Sequence, residues 1–209
     1  MKLILASASP RRQELLHLLT VPFAVVPVDI DETPEADEPA VAYVERLAIE
    51  KARAAQQQVG APPATWVLGS DTTVVADADI LGKPTDQADA ARMLRRLSGR
   101  AHEVMTAVAL CGPDGLVQHC RVDTRVWFRT LADQDIAAYW ATGEPADKAG
   151  AYGIQGLGGR FVERLDGSYH AVMGLPLEQT GELLRRAGFD LWSGAVRVSS
   201  DSKTGNRTA

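Results

Sequence analysis

Residues 65–77, "TWVLGSDTTVVAD", decide how the fold is interpreted, because they set polar residues between two apolar segments rich in β-branched side chains. The pattern predicts a strand, a tight turn at Gly69 and Ser70, and a second strand. Asp71 and Thr72 follow that turn, and strand ends are where α/β proteins usually place ligands. These two residues can satisfy the backbone of the turn, or they can display a carboxylate that orients water or holds a divalent cation. The stretch alone leaves both interpretations open.

The segments on either side mix strand and helix patterns without strict alternation. Apolar runs at 2–6 and 23–30 predict strands, and the run at 40–58 has the periodicity of an amphipathic helix. The segment 103–128 predicts two strands joined at the turn sequence "GPDG", and 160–176 predicts a strand, a turn and a strand. Together they predict an α/β fold in which helices flank a mixed sheet.

Composition limits the possible classes of protein. The chain has 209 residues and a formal net charge of -5, which suits one globular domain at 1–191 followed by a polar, disordered tail at 192–209. The acidic balance argues against broad binding to nucleic acid or to an anionic membrane, so an anionic substrate needs a local group of Lys and Arg. No apolar run suits a membrane span or a signal peptide, which predicts a cytoplasmic protein. Cys111 and Cys120 could face each other across a hairpin, and we expect them to be thiols.

Ser9 and Pro10 mark the start of a helix, with serine as the N-cap and proline at the first helical position. Arg11 and Arg12 then occupy the first turn, where the helix dipole disfavours cations by up to about 1 kcal/mol each. An anion held there by backbone N–H groups, the serine hydroxyl and both guanidinium groups would explain the arrangement. The simpler alternative is that both arginines turn away into solvent.

Further candidate residues lie at a predicted strand end and in restricted or glycine-rich loops. Glu32 follows the second predicted strand, and Lys83 stands between glycine and proline, which fixes the backbone around it. Lys148 and Gln155 lie in "DKAGAYGIQG", whose glycines either admit an anion close to the backbone or simply make the loop flexible.

Lys51 lies in the long predicted helix, where a lysine is by default a surface residue paired with Glu45 or Glu50. Taken together, however, the charged candidates suit a triphosphate with a divalent metal, with cations for the phosphates and carboxylates for the metal and the attacking water. The cations are Arg11, Arg12, Lys51, Lys83 and Lys148, and the carboxylates are Glu32 and Asp71.

A series of short motifs covers nearly the whole chain before the tail. They are "LASASPRRQELL", "DIDE", "YVERLAIEKA", "LGSDTTVV", "LGKP", "RMLRRLSGRAHEVMTAVAL", "GEPADKAGAYGIQG" and "GSYHAVMGLP". In this order they resemble the Maf family of nucleoside triphosphate pyrophosphatases. The resemblance implies an elongated, bilobed fold similar to that of the inosine triphosphatases, with the cleft between the lobes. It also implies a homodimer that uses Mg²⁺ or Mn²⁺ to split a nucleoside triphosphate into a monophosphate and pyrophosphate.

The resemblance assigns roles to the candidate residues. Asp71 corresponds to the family's proton acceptor for water, Glu32 to its acidic position after the second strand, and Lys51 and Lys83 to its two lysines, and we expect all four to take part in catalysis. The metal is expected on Glu32 or Asp71, and the sequence leaves open which of the two binds it and which acts as the base. Substrate-binding positions are Ser9, Arg11, Arg12, Thr72, Lys148 and Gln155. The segment around Gln155 resembles the branch that acts on dTTP and UTP, as distinct from the branch that acts on 7-methyl-GTP.

The chemistry of uracil and thymine suggests how such a site would select them. Arg12 can only donate, so it would suit a carbonyl oxygen and reject the amino group of cytosine, while Gln155 could accept from N3–H and Thr72 could buttress the pair. Three other functions compete with this one. They are a non-enzymatic regulator of cell division, a nucleotide sensor that hydrolyses poorly, and a purine-specific enzyme with the same chemistry.

Overall fold

The computed structural model describes residues 1–60 and 63–192, and they form a seven-stranded mixed sheet flanked by helices. The strands are β1 (Lys2–Leu5), β2 (Phe23–Val25), β3 (Thr65–Ala76), β4 (Asp79–Leu81), β5 (Ala101–Cys111), β6 (Val117–Phe128) and β7 (Val162–Asp166). The helices are α1 (Pro10–His17), α2 (Ala40–Gln58), α3 (Gln87–Leu97), α4 (Asp133–Ala141), α5 (Tyr169–Met173) and α6 (Leu177–Arg186). The predicted tail beyond Trp192 lies outside the described residues.

The sheet has the order β2-β1-β3-β5-β6-β7, with β4 paired to β3. β1 runs parallel to both β2 and β3, whereas the pairs from β3 onward are antiparallel. The expectation of a mixed sheet is therefore confirmed. β1 ends at Leu5, opposite Leu68, and β3 continues beyond it, so the chain after β1 leaves the sheet beside the middle of β3.

The predicted turn at Gly69 and Ser70 is wrong, because β3 is one uninterrupted strand. Gly69 pairs with Ala109, and Asp71 pairs with Ala107, both in β5. A Cβ at Gly69 would lie 2.2 Å from the carbonyl oxygen of Ala48, so the glycine is there to let α2 approach the strand. Asp71 and Thr72 therefore lie in the middle of a strand and not at its end, and both line an opening between the elements that cover the sheet.

Two smaller expectations are also corrected. After β7 the chain forms the short helix α5, capped by Ser168 and ended by Gly174 at φ 115, where a second strand was predicted. Cys111 and Cys120 do not face each other, because Cys111 pairs with Val117 and Cys120 with Val108. Both cysteines are free thiols.

The apolar residues form a separate core at each end of the long strands. One core packs α1 and α6 against β1 and the first half of β3, and the other packs α3 and α4 against the second half of β3 and β6. A third cluster lies under α2, on the opposite face of the sheet. Ile154 packs against both of the first two cores, so the space between them is bridged at this residue. Within the described residues, no helix is both long enough and apolar enough to cross a bilayer.

Candidate active site

A cleft of about 470 Å³ opens where β1 ends and β3 continues. Its walls come from the β1–α1 loop, the middle of β3, the side of α2 and residues 148–159. Residues 148–159 are called the glycine-rich loop. Every candidate residue of the sequence analysis lines this cleft. They are Ser9, Arg11, Arg12, Glu32, Lys51, Asp71, Thr72, Lys83, Lys148 and Gln155.

The floor of the cleft is a cluster of Lys51, Glu32 and Asp71. Lys51 Nζ lies 2.7 Å from Asp71 Oδ1 and 2.6 Å from Glu32 Oε1. The expectation that Lys51 is a surface residue paired with Glu45 or Glu50 is wrong, since Lys51 is 8% exposed and Asp71 is 6% exposed. A buried ammonium group needs such partners, because an unpaired buried charge is strongly destabilising.

The position of Lys51 follows from the contact between α2 and β3. Small residues at Ala48 and Ala52 let the helix approach Gly69, which brings Lys51 to the level of Asp71. Tyr43 lies nearer the start of the same helix, and its hydroxyl donates to the backbone carbonyl of Glu32 at 2.9 Å. The helix therefore contacts both carboxylates through Lys51, and it also holds the backbone of Glu32 through Tyr43.

The electrostatics of the floor favour the ionised form of Glu32. Desolvation opposes ionisation of Glu32, but the hydrogen bond and charge of Lys51, with the charges of Lys83 and Arg12, lower its pKa below the ordinary value. Burial and the two carboxylates raise the pKa of Tyr43 to about 12, so its hydroxyl remains a donor.

Arg12 is turned toward the protein and is half-buried. Its Nε donates to the Gly174 carbonyl at 3.0 Å, and its terminal nitrogens donate to Ser7 and Thr72 at 3.3 Å. Burial lowers the pKa of Arg12 below its ordinary value, while the nearby Asp71 carboxylate favours its charge. The solvent-facing alternative is therefore wrong for Arg12, and each terminal nitrogen keeps a further N–H for a ligand.

Thr72 is part of a directed chain of hydrogen bonds. Thr106 donates to the Ala171 carbonyl at 2.7 Å, so it accepts from Thr72, whose oxygen lies 3.0 Å away. Thr72 then accepts from Arg12. This chain connects β3 and β5 to α5 and fixes the orientation of the guanidinium group.

The remaining cations lie around the rim. Lys83 is exposed, and its charge helps to lower the pKa of Glu32. Ser9 caps α1, because its hydroxyl accepts from the Arg12 backbone N–H at 3.5 Å. Arg11 makes no side-chain hydrogen bond or salt bridge within the parts of the chain that the structure describes. Lys148 pairs with Asp147 and also donates to the Glu144 carbonyl at 3.3 Å. Such a rim offers positive charge to a phosphorylated ligand.

Gln155 lies in the glycine-rich loop, and its Nε2 donates to Glu14 Oε2 at 3.3 Å. The loop consists of short 3₁₀ turns and not of a regular helix, and Gly150 has φ 66. A Cβ at Gly150 would lie 2.9 Å from Val74, so this glycine lets the loop pack directly on β3. Close packing therefore explains Gly150, and flexibility of the loop is not needed to account for this glycine.

Sequence reasoning missed several residues that shape the site. Ser7, Tyr43, Thr106 and Gly174 all lie at or behind the cleft, and Gly174 accepts from Arg12 while Ser70 Oγ lies 2.8 Å from the same carbonyl. The only signal for them is their presence inside the motifs "LASASPRRQELL", "YVERLAIEKA", "RMLRRLSGRAHEVMTAVAL" and "GSYHAVMGLP".

The residues present suit a metal that is bound together with a polyphosphate. No group of three or more His, Cys, Asp or Glu that could hold a metal occurs in the described ranges. Glu32 and Asp71 nevertheless meet at one ammonium group, and Mg²⁺ usually takes one or two carboxylates and completes its shell with water and substrate phosphates. A preformed cage made of protein ligands alone is therefore not the arrangement.

The sheet and the cleft together define an α/β protein with a cleft, lined by cationic side chains, at the end of a strand of its parallel part. The same fold occurs in a HAM1 protein from Coxiella burnetii, with a TM-score of 0.52 at 17% identity, covering 89% of this chain and 99% of that one. The inosine triphosphatase-like fold expected from the sequence is thereby confirmed.

The chain belongs to the Maf-like protein family, whose model matches residues 2–187. It is 54% identical over 195 residues to the dTTP/UTP pyrophosphatase of Hahella chejuensis, covering 92% of this chain and 95% of that protein. It is 56% identical over 182 residues to the dTTP/UTP pyrophosphatase of Shigella dysenteriae, covering 87% of this chain and 91% of that one. The resemblance seen in the motifs is thus confirmed along almost the full length.

Proposed function

We propose that this protein hydrolyses dTTP and UTP to the nucleoside monophosphate and pyrophosphate. The observation that carries the proposal is the buried Asp71–Lys51 pair, with the more exposed Glu32 bound to the same ammonium group, at the floor of a cleft with a cationic rim. Relatives named for this activity match the chain at 53–56% identity, which supports the same chemistry. A regulator of cell division without catalysis is not favoured, because a binding protein has no need of this cluster.

In the proposed reaction, Asp71 accepts a proton from a water molecule as that water attacks the α phosphorus. The bond between the α phosphorus and the oxygen that bridges to the β phosphorus breaks, and pyrophosphate leaves with the bonding electron pair. Lys51 donates a hydrogen bond to Asp71 and so fixes the orientation of its carboxylate, as a general base requires. Arg11, Lys83 and Lys148 are placed to neutralise the phosphates, whose negative charge increases as the bond breaks.

A divalent cation, Mg²⁺ or Mn²⁺, would be held by Glu32 and Asp71 together with the triphosphate. It would polarise the phosphoryl oxygens and favour deprotonation of a bound water. The protein residues retain their own tasks when it is bound: Tyr43 holds the Glu32 backbone, and Lys51 balances the charge of the carboxylates.

Base selection is assigned to Arg12, Thr72 and Gln155. Arg12 is fixed by protein hydrogen bonds and presents its remaining N–H groups, which suit the carbonyl oxygens of uracil and thymine. The 5-methyl group contributes only about 1–3 kcal/mol of discrimination in an apolar pocket, so a site that accepts both dTTP and UTP is expected.

The wider setting is part of the same proposal. We assign a homodimer, because the family resemblance implies one, and a cytoplasmic location without nucleic-acid or membrane partners, because the chain carries net charge -5 and free thiols. Sedimentation analysis at micromolar concentration tests the dimer, and a monomer at that concentration would contradict it.

The deciding experiment incubates the protein with Mg²⁺ and, separately, with dTTP, UTP, CTP, GTP and 7-methyl-GTP. Pyrophosphate and orthophosphate are then measured. We expect pyrophosphate from dTTP and UTP alone. Orthophosphate would place the cleavage at a terminal phosphate, turnover of a purine nucleotide would overturn the base assignment, and no turnover would return the regulator to consideration.

A further inference from the structure

The glycine-rich loop is attached to the protein through a carboxylate that takes no part in the proposed reaction. Glu144 Oε1 accepts from the Tyr139 hydroxyl at 2.7 Å and from the Gly158 N–H at 3.1 Å, while Oε2 accepts from the Leu157 N–H at 2.9 Å. Tyr139 in turn accepts from the Gly153 N–H at 3.0 Å. Two side chains therefore satisfy three backbone N–H groups of one loop.

The glycines of the loop fit closely around this carboxylate. A Cβ at Gly156 would lie 2.4 Å from Glu144 Oε2, and one at Gly158 would lie 2.6 Å from the Tyr139 hydroxyl. Desolvation opposes ionisation of Glu144, but the two backbone N–H groups and the Tyr139 hydroxyl outweigh it and lower the pKa of Glu144. The carboxylate is thus charged and bound on all sides, as expected of a permanent structural anchor.

A second carboxylate contacts the amide of Gln155 in the same loop, at a position where both side chains are exposed. Glu14 in α1 accepts from Gln155 Nε2. An ionised carboxylate can only accept, so the amide must keep its nitrogen toward Glu14 and its oxygen toward the opposite side. Rotating the amide by half a turn would set two acceptor oxygens against each other.

That fixed amide distinguishes two pyrimidines. Gln155 Oε1 can accept from N3–H of uracil or thymine, while the second Nε2 hydrogen can donate to the adjacent carbonyl. Cytosine carries an acceptor at N3 and an amino group beside it, so in the same pose it needs the reversed amide. A site with buried or fixed polar groups rejects the ligand that leaves them unpaired.

We propose that Glu144 and Glu14 are positioning residues for base recognition: Glu144, with Tyr139, fixes the glycine-rich loop, and Glu14 fixes the amide orientation of Gln155 against cytosine. The proposal rests on the proposed function for the identity of the base. Neither residue touches the reacting phosphate.

The loop anchor is tested with Glu144→Ala and Tyr139→Phe. The dissociation constant for α,β-methylene-UTP, which cannot be split at the α–β position, is measured by calorimetry beside kcat and KM for UTP. With hydrogen bonds to a charged group lost, we expect the dissociation constant and KM of Glu144→Ala to rise about tenfold or more and kcat to fall less than about threefold. Tyr139→Phe shows the same pattern to a smaller extent.

A double-mutant cycle distinguishes anchoring from general damage. Gly156→Ala places a methyl group against the Glu144 carboxylate, so alone it weakens binding, whereas in the Glu144→Ala background it has little further effect. Additive effects, or an unchanged dissociation constant in folded Glu144→Ala, would overturn the anchor. A wild-type protein that binds the analogue but releases no pyrophosphate would refute the proposed function alone, and one that does not bind it would overturn both.

The amide lock is tested with Glu14→Gln, which keeps size and hydrogen bonding but can donate as well as accept. Glu182→Gln is the matched control, because Glu182 is paired with Arg185 and Arg186 on α6 and does not line the cleft. We expect the ratio of kcat/KM for UTP over CTP to fall about threefold to tenfold in Glu14→Gln, chiefly through a gain on CTP, and to stay unchanged in the control. An unchanged ratio in Glu14→Gln refutes the lock.

Discussion

The floor of the cleft and the glycine-rich loop are both precisely positioned, but by different means. Asp71 and Lys51 of the floor lie on a long strand and a long helix, and these two side chains are held by burial and by charge pairing. The loop has no regular ladder, and its backbone N–H groups are satisfied by the side chains of Glu144 and Tyr139. Under the proposed function, the proton acceptor Asp71 belongs to the region held by regular structure, and Gln155, one of the residues assigned to base selection, belongs to the region built from individual contacts.

The largest effect is expected for Asp71→Asn, which removes the proton acceptor without changing the size of the side chain. Loss of a general base costs about 100-fold to 10,000-fold, so kcat for UTP should fall by about three orders of magnitude. Circular dichroism checks that the variant folds. Near-normal turnover would remove Asp71 from the role of base, and the contrast between floor and loop would no longer be one of chemistry and selection.

We expect acid to lower the stability of the protein through His102, which lies under the glycine-rich loop. Its Nε2 lies 2.8 Å from the hydroxyl of Tyr152, a residue of that loop. Burial, with a further contribution from the charge of Arg100, lowers the pKa of His102 from 6.5 to about 4. As the pH falls, the unfolded chain therefore binds this proton before the folded chain does. The neutral, buried His102 contributes about 3 kcal/mol to the free energy of unfolding, and this contribution is complete above pH 6.5 and is lost as the pH falls toward 4.

Urea unfolding at pH 7 and pH 4.5 measures this loss. His102→Gln keeps a hydrogen-bonding side chain for Tyr152 but does not titrate, so its stability should fall less between the two pH values than that of the wild type. Equal losses in both proteins would show that other groups cause the acid sensitivity.

Gly69→Ala tests the contact that places the floor. The added methyl group meets the Ala48 carbonyl at 2.2 Å, and overpacking of this kind typically costs about 1–3 kcal/mol. Gly82→Ala is the control, because its Cβ would meet nothing within 4 Å. Thermal unfolding should separate the two variants, and matching melting temperatures would mean that α2 can move away without cost.

The smallest effect is expected for Gln155→Ala, which should lower the preference for UTP over CTP about tenfold, as loss of hydrogen bonds that fit only one base implies. Its kcat for UTP should stay close to that of the wild type, since Gln155 lies away from the Asp71 floor. A full preference for UTP in this variant and in Arg12→Ala would refute the assignment of base selection to these residues.

Most of the fold could be predicted from the sequence, and the errors have physical causes. The helix 40–58 and its buried face were predicted from periodicity, and the structure places α2 at those residues. Gly69 and Ser70 predicted a turn because glycine is common in turns, but the close approach of a helix to a strand needs glycine equally. The residues around Gly69 do not show how closely another part of the chain, here α2, approaches the strand.

The candidate site shows the same limit. The cations and carboxylates were predicted from their types and from the family motifs, and the structure brings them into one cleft. The partners of Lys51 were predicted wrongly, because neighbours within a helix are visible in the sequence whereas Glu32 and Asp71 come from other elements. The anchoring role of Glu144 depends on a loop that folds back over its side chain, for which the sequence has no periodic pattern.

The pairing of β3 with β5 has a mechanical consequence for access to the cleft. The ladder runs without a break from Val67–Cys111 to Val75–Glu103, and its two halves belong to the two separate cores. A movement of one core toward the other would have to twist or bend this ladder in its middle, next to Asp71. Any narrowing of the cleft by such a movement would therefore be felt at the Asp71 carboxylate itself, and not only at the rim.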